Sequence, residues 1–137
     1  MEEIANGNLE LTTLVLNQNS QINDNICHIL EKLIKGKTPL AHLYLDETSV
    51  TEDGFEMLVL ASVKSTVLDT LSCKNCKITL DSPFGWKKIG DAMKQNCSIT
   101  KLEVSGNNVD DGFVEEMNVE LEQNKLIVQY IFPVVRE

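Results

Sequence analysis

One phrase recurs four times along the chain: an aliphatic residue, two unconstrained positions, a second aliphatic, one unconstrained position, and a third apolar residue. The copies start at Leu11 (LTTLVLNQN), Leu40 (LAHLYLDETSV), Leu68 (LDTLSCKNCKI) and Ile99 (ITKLEVSGNNV). Successive starts lie 29, 28 and 31 residues apart, and a fifth, degraded copy (Ile127, Tyr130, Phe132) begins 28 residues further on. A period of this length marks a repeat architecture, in which no unit can bury its apolar side chains alone and neighbours must stack.

The spacing within the phrase predicts a short strand. Its aliphatic positions point inward and stack on their equivalents in the next unit, while the intervening positions alternate to the opposite face. Each copy is followed by a helical pattern. Ile22, Ile26, Ile29, Leu30 and Leu33 recur at helical spacing up to Lys35, with Gly36 as the residue that ends the helix. Thr51 or Asp53 caps a second helix carrying Phe55, Leu58, Ala61 and Ser62. Ser82-Pro83 opens a third, with Trp86, Ile89, Gly90 and Met93 on one stripe, and Asp110 opens a fourth with Phe113, Met117 and Leu121 inward. The outward side of that fourth helix is acidic (Glu115, Glu116, Glu120, Glu122). Strands gathered on one face and wider helices on the other make such an array curve.

The ninth slot of the phrase holds Asn19, Thr48, Cys76 and Asn107, small side chains suited to pairing backbone groups left open by the bend after the strand. Two positions later Val50, Ile78 and Val109 anchor the chain. The first unit departs, with Gln21 in that slot and Ile22 one residue late, so its loop is expected to be irregular. The organisation expected is one domain over 1–137: a lead-in at 1–10, units at 11–39, 40–67, 68–98 and 99–126, and a terminal strand and tail at 127–137.

A chain of 137 residues with 42% hydrophobic content suffices for one continuous core. The net charge of −9, with Arg136 the only arginine, argues against nucleic acid and anionic membranes and favours a partner with a basic patch. No stretch reaches the roughly 20 apolar residues that cross a bilayer, and MEEIANG lacks the features of a secretory signal. A cytoplasmic protein is expected, with Cys27, Cys73, Cys76 and Cys97 reduced.

These residues resemble the ribonuclease-inhibitor-like branch of the leucine-rich repeats over roughly Leu11 to Phe132. Val50-Thr51-Glu52-Asp53-Gly54-Phe55 and Asn107-Asn108-Val109-Asp110-Asp111-Gly112-Phe113 are similar to that class's entry into the convex helix. The resemblance implies an α/β solenoid of four to five units. The C-terminal third is most similar to tropomodulin-type domains, where an acidic helix ending in Glu122-Gln123-Asn124 runs into a terminal strand with aromatics. That implies an actin-regulatory relationship, and no actin-contacting residue carries over. The class spans many roles, so the fold does not name the partner.

Residues of possible chemistry are absorbed by the register. Cys73-Lys74-Asn75-Cys76 has the spacing of a redox pair or half a zinc site, but Cys73 falls in the third aliphatic slot and Cys76 in the turn slot. His28 lies on a helix flank and His42 just ahead of the second strand, where it can face the concave surface, neither with a triad partner at motif spacing. No metal or cofactor is expected, and the chain reads as non-enzymatic.

What remains is the concave strand face. Its outward positions are Val15, Asn17 and Gln18; Tyr44, Asp46 and Glu47; Ser72, Lys74 and Asn75; Glu103, Ser105 and Gly106. Stacking places Val15, Tyr44, Ser72 and Glu103 in one transverse row and Asn17, Asp46, Lys74 and Ser105 in the next, strands being about 4.8 Å apart. Tyr44 is the one large aromatic there, a suitable anchor. The expected function is a protein-interaction scaffold gripping its partner with Tyr44, Asp46, Glu47, Lys74, Asn75, Glu103, Val15 and Asn17. Two alternatives stand beside it: stacking assembly through the weakly capped N-terminal end, and a tropomodulin-like domain whose partner is actin or an actin-associated protein.

Overall fold

The computed structural model describes residues 11–130, with side chains through 125. Its elements run β1 (Thr13–Val15), α1 (Asp24–Lys35), β2 (His42–Tyr44), α2 (Glu52–Ser62), β3 (Thr70–Ser72), β4 (Thr79–Leu80), α3 (Pro83–Gln95), β5 (Lys101–Glu103), β6 (Asn108–Val109) and α4 (Asp111–Tyr130). β1, β2, β3 and β5 form one parallel sheet in that order. Leu14, Leu43, Leu71 and Leu102 stand opposite one another in it, as the phrase requires.

The aliphatic slots build the core. Leu40, Leu43, Leu45, Leu68, Leu71, Cys73 and Ile99 are buried, whereas Leu14, Leu16, Leu102 and Val104 on the outer strands are only partly covered. Helices close the other side of this layer with Leu30, Phe55, Leu58, Ile89 and Met93. Trp86 joins them, its ring edge-on to Phe113 at 5.7 Å between centroids.

Capping residues fix where each helix begins. The side chain of Asn23 accepts from Asn25 N, Thr51 from Asp53 N, and Ser82 from Gly85 N with Pro83 following. Asp110 Oδ2 accepts from Gly112 N at 2.8 Å. Gly36 ends α1 with φ −77°, in extended rather than left-handed backbone; its N–H bonds Leu33 O, which also accepts from Thr38 Oγ1.

Three features depart from the sequence reading. A second, two-stranded parallel sheet (β4 with β6) lies at the helix entries, continued by a bridge between Thr51 and Lys77. It forms because the anchor slot stacks its backbone as well as its side chain: Lys77 N reaches Val50 O at 3.0 Å and Asn108 N reaches Ile78 O at 3.0 Å. Next, α4 continues through residues 127–130, where a terminal strand was expected. Ile127 and Tyr130 are three apart, a spacing that suits a helix as well as the strand phrase, and no Gly or Pro interrupts before Pro133. Phe132 and the rest of the expected strand lie outside the described residues, as does the lead-in at 1–10. Lastly, the helix ends are joined by a buried polar ladder. Asn96 donates to Ser62 O and Ser62 Oγ and accepts from Ser98 N and Ile99 N.

Candidate partner-binding face

The sheet register sets transverse rows on the face away from the helices. Val15, Tyr44, Ser72 and Glu103 are in register, as the phrase predicts. Val15 is 56% exposed, Tyr44 and Glu103 are half-buried, and Ser72 is fully buried. Ser72 loses its exposure because it is the smallest member of its row, on a central strand between the larger Tyr44 and Glu103. Its hydroxyl donates to Asp46 Oδ1 at 2.6 Å.

Two of the expected contact residues are engaged in holding strands together. Asn17 Oδ1 accepts from the backbone N–H of Asp46 at 2.7 Å, and Asp46 Oδ1 accepts from that of Lys74 at 2.8 Å. A side-chain acceptor thus stitches each strand end to the next, satisfying amides beyond the regular ladder. Lysine carries no acceptor, so the stitching stops at Lys74. Its ammonium turns instead to Glu103, at 3.1 Å from Oε2. The hydrogen bond that Lys74 donates to Glu103, then the charge of Glu103 and that of Asp46, raise the Lys74 pKa above its usual value.

The next residues along each strand form a turn row. Gln18, Glu47 and Asn75 have φ of 60°, 60° and 55°, and Gly106 has φ 77°. Each unit therefore enters the left-handed region at the same slot. Only glycine and, less readily, asparagine do so at low cost. Glu47 and Asn75 are exposed there, and the Asn75 side chain lies over Gly106, in the space a Cβ at Gly106 would need.

A further row was legible in the sequence only at His42: Thr13, His42, Thr70 and Lys101 are in register and share the outward side with Val15 and Tyr44. Two-residue alternation, carried back from position 44 to 42 and from 103 to 101, would have found it. His42 is the first residue of β2 rather than ahead of it, with Nδ1 3.0 Å from Thr70 Oγ1. Lys101 is exposed. Among the described residues of this face Val15, Glu47 and Lys101 are exposed and Tyr44 is half-buried, beside the Lys74–Glu103 pair.

The cysteines are thiols placed by the repeat. Cys73 is fully buried, and Cys76 Sγ lies in the bend 3.0 Å from Leu45 O and 3.4 Å from Thr48 Oγ1. Burial pushes the Cys27 thiol up to about 12, with Asp24 and Cys76 adding, and raises that of Cys73 well above its usual value. Among the described residues no group of three or more His, Cys, Asp or Glu side chains is arranged to hold a metal ion. No described helix is long and apolar enough to cross a membrane.

No protein-family model matches the chain. Residues of this chain align at 26% identity over 106 residues with the NACHT, LRR and PYD domains-containing protein 4C of Mus musculus, covering 77% of this chain and 10% of that protein. Among solved structures, the C-terminal domain of tropomodulin from Caenorhabditis elegans superposes with a TM-score of 0.71 at 14% identity, over 93% of this chain and 92% of that one. Actin-binding site 2 of leiomodin-1 superposes with a TM-score of 0.68 at 16% identity, over 90% and 86%. The chain folds as an α/β solenoid of the leucine-rich-repeat type, and in fold it resembles the tropomodulin and leiomodin repeat domains.

Proposed function

We propose that this chain is a non-catalytic, cytoplasmic protein-interaction module that holds its partner on the concave sheet face. The observation that carries this reading is Val15, 56% exposed and in register beside Tyr44, on a face otherwise lined by polar side chains. An aliphatic side chain left open beside the face's aromatic contributes little to the fold. It becomes useful when a partner covers both, and aromatic anchors of this kind dominate interface energetics. Lys101 and Glu47 at the margins, with the Lys74–Glu103 pair between, supply a charged rim of both signs. Asn17 and Asp46 act by keeping the strands in register beneath the contact.

Actin is the partner to try first, since the solved structure most concretely tied to a partner is an actin-binding segment of leiomodin-1. Fluorescence anisotropy of labelled monomeric actin, titrated with this chain, tests the reading. Binding is expected to weaken at least tenfold in a Val15→Asp/Tyr44→Ala variant and to be unchanged in Lys64→Glu, an exposed position just past α2. Equal binding by all three would remove the concave face from consideration. No binding by the native chain would remove actin.

A further inference from the structure

The outer faces of α3 and α4 carry opposite charges in the same slots. Their register follows from the buried residues: Ile89 with Met117, Met93 with Leu121, and Asn96 with Asn124, each 28 residues apart. The same offset sets Lys87 and Lys94 against Glu115 and Glu122. Within the molecule these charges do not meet. The ion pairs among the described residues of α3 and α4 are local, Lys87 with Asp91 at 3.2 Å and Lys125 with Glu122 at 2.9 Å. Lys88, Lys94 and Glu115 stand exposed beside them.

Two apolar features accompany the pattern. Phe84, in the first turn of α3, is 92% exposed. Its counterpart on α4 is Gly112, which offers no side chain and lies against the ring of Trp86. Between the two helices runs a groove of about 270 Å³, floored by Trp86 and Gly90 and rimmed by Lys87, Lys94 and Glu116. Val119, 57% exposed, lies on the outer face of α4.

We propose that this convex face binds a second copy of the chain. A two-fold axis parallel to the helices and between them lays α3 of each copy over α4 of the other, an isologous contact in which every interaction occurs twice. Lys87 and Lys94 then face Glu115 and Glu122 across the interface, and Phe84 covers the bare surface at Gly112. The complementarity is local. The chain as a whole carries −9, so unpatterned copies would repel. Exposed ion pairs are individually weak, which places the dimer in the range that appears only at high protein concentration. This inference is independent of what the concave face binds.

Sedimentation velocity of the full chain over a concentration series tests it. The sedimenting mass is expected to rise from 15.3 kDa toward twice that value. Lys87→Glu/Lys94→Glu should remain monomeric at every concentration. So should Glu115→Lys/Glu122→Lys, although those changes lower the net negative charge and so weaken the general repulsion. An equimolar mixture of the two variants should dimerise again, because the acidic α3 of one then meets the basic α4 of the other. Circular dichroism checks that both variants fold. A native chain that stays monomeric, a dimer indifferent to either charge reversal, or a mixture that fails to restore it would each overturn the proposal.

Discussion

Asn124 donates its side-chain amide to Asn96 Oδ1 at 3.1 Å, fully inside the protein and 28 residues further along the chain. The same amide reaches Ile99 O at 2.8 Å. Asn96 in turn donates to the Ser62 hydroxyl and carbonyl, so one polar ladder ties the ends of α2 and α3 to the body of α4. Ser62 and Asn96 lie where α2 and α3 give way to the next strand. Backbone groups there would otherwise be buried without partners.

Replacing Asn96 by alanine removes two donors and three acceptor contacts at once, leaving Ser98 N and Ile99 N unpaired. Each buried orphan costs about 1–3 kcal/mol, so the expected loss is about 3 kcal/mol or more. Asn124→Ala, at the end of the ladder, should cost less. Urea unfolding of the two variants gives the comparison, and equal losses would deny the ladder's hierarchy.

The left-handed slot in the turn row predicts opposite effects of two substitutions. Glu47, at φ 60°, carries a strain of about 1–2 kcal/mol that glycine relieves, less the added freedom of the unfolded chain. Glu47→Gly should therefore stabilise by up to about 1 kcal/mol. Gly106→Ala should destabilise by more, because its φ of 77° is unfavourable and the new Cβ meets the Asn75 side chain. Thermal denaturation distinguishes the signs.

Gly54 on α2 lets α1 approach closely. A Cβ there would meet the carboxylate of Asp24 and lie 2.9 Å from Cys27 Sγ. Asp24 is not free to yield, since it accepts from Thr51 N at 2.9 Å and from the Thr51 hydroxyl. Gly54→Ala should cost about 1–3 kcal/mol by overpacking. Adding Cys27→Ala should recover part of that loss, a non-additivity that a double-mutant cycle measures directly.

The buried thiols make stability fall in alkali. Unfolded cysteine loses its proton near 9.0, whereas Cys27 in the fold holds it to about 12. The folded state therefore binds protons more tightly. Its advantage is complete below pH 9 and is lost progressively as pH rises from there toward 12. Denaturant midpoints should drop over that window, and drop less in Cys27→Ala. In native protein at pH 8, Cys27 and Cys73 should react with a thiol reagent only on unfolding, well behind the partly exposed Cys76 and Cys97.

Much of this structure was legible in the phrase itself. Alternation placed Leu43, Leu71 and Cys73 inside and aligned Val15, Tyr44, Ser72 and Glu103, and the caps at Thr51, Ser82 and Asp110 mark the helix starts. Other properties depend on neighbours that no single strand reveals. Ser72 is buried by the size of the residues beside it, and Asn17 and Asp46 are engaged because their short acceptors reach the adjacent backbone. The left-handed slot was hidden because Gln18 and Glu47 are not residues that advertise it. Residues 127–130 fit two templates, since apolar positions three apart suit a helix and the opening of the strand phrase alike.

The central claim is that the sheet face around Tyr44 is where a partner sits. A nitrogen-15 amide map of the chain, recorded as monomeric actin is added, tests it most directly. Resonances of residues 13–15, 42–47, 72–75 and 101–103 are predicted to shift or broaden first, with those of α1, α2 and α3 unmoved. Perturbations confined to the helices, with the strand residues unchanged at saturation, would contradict it.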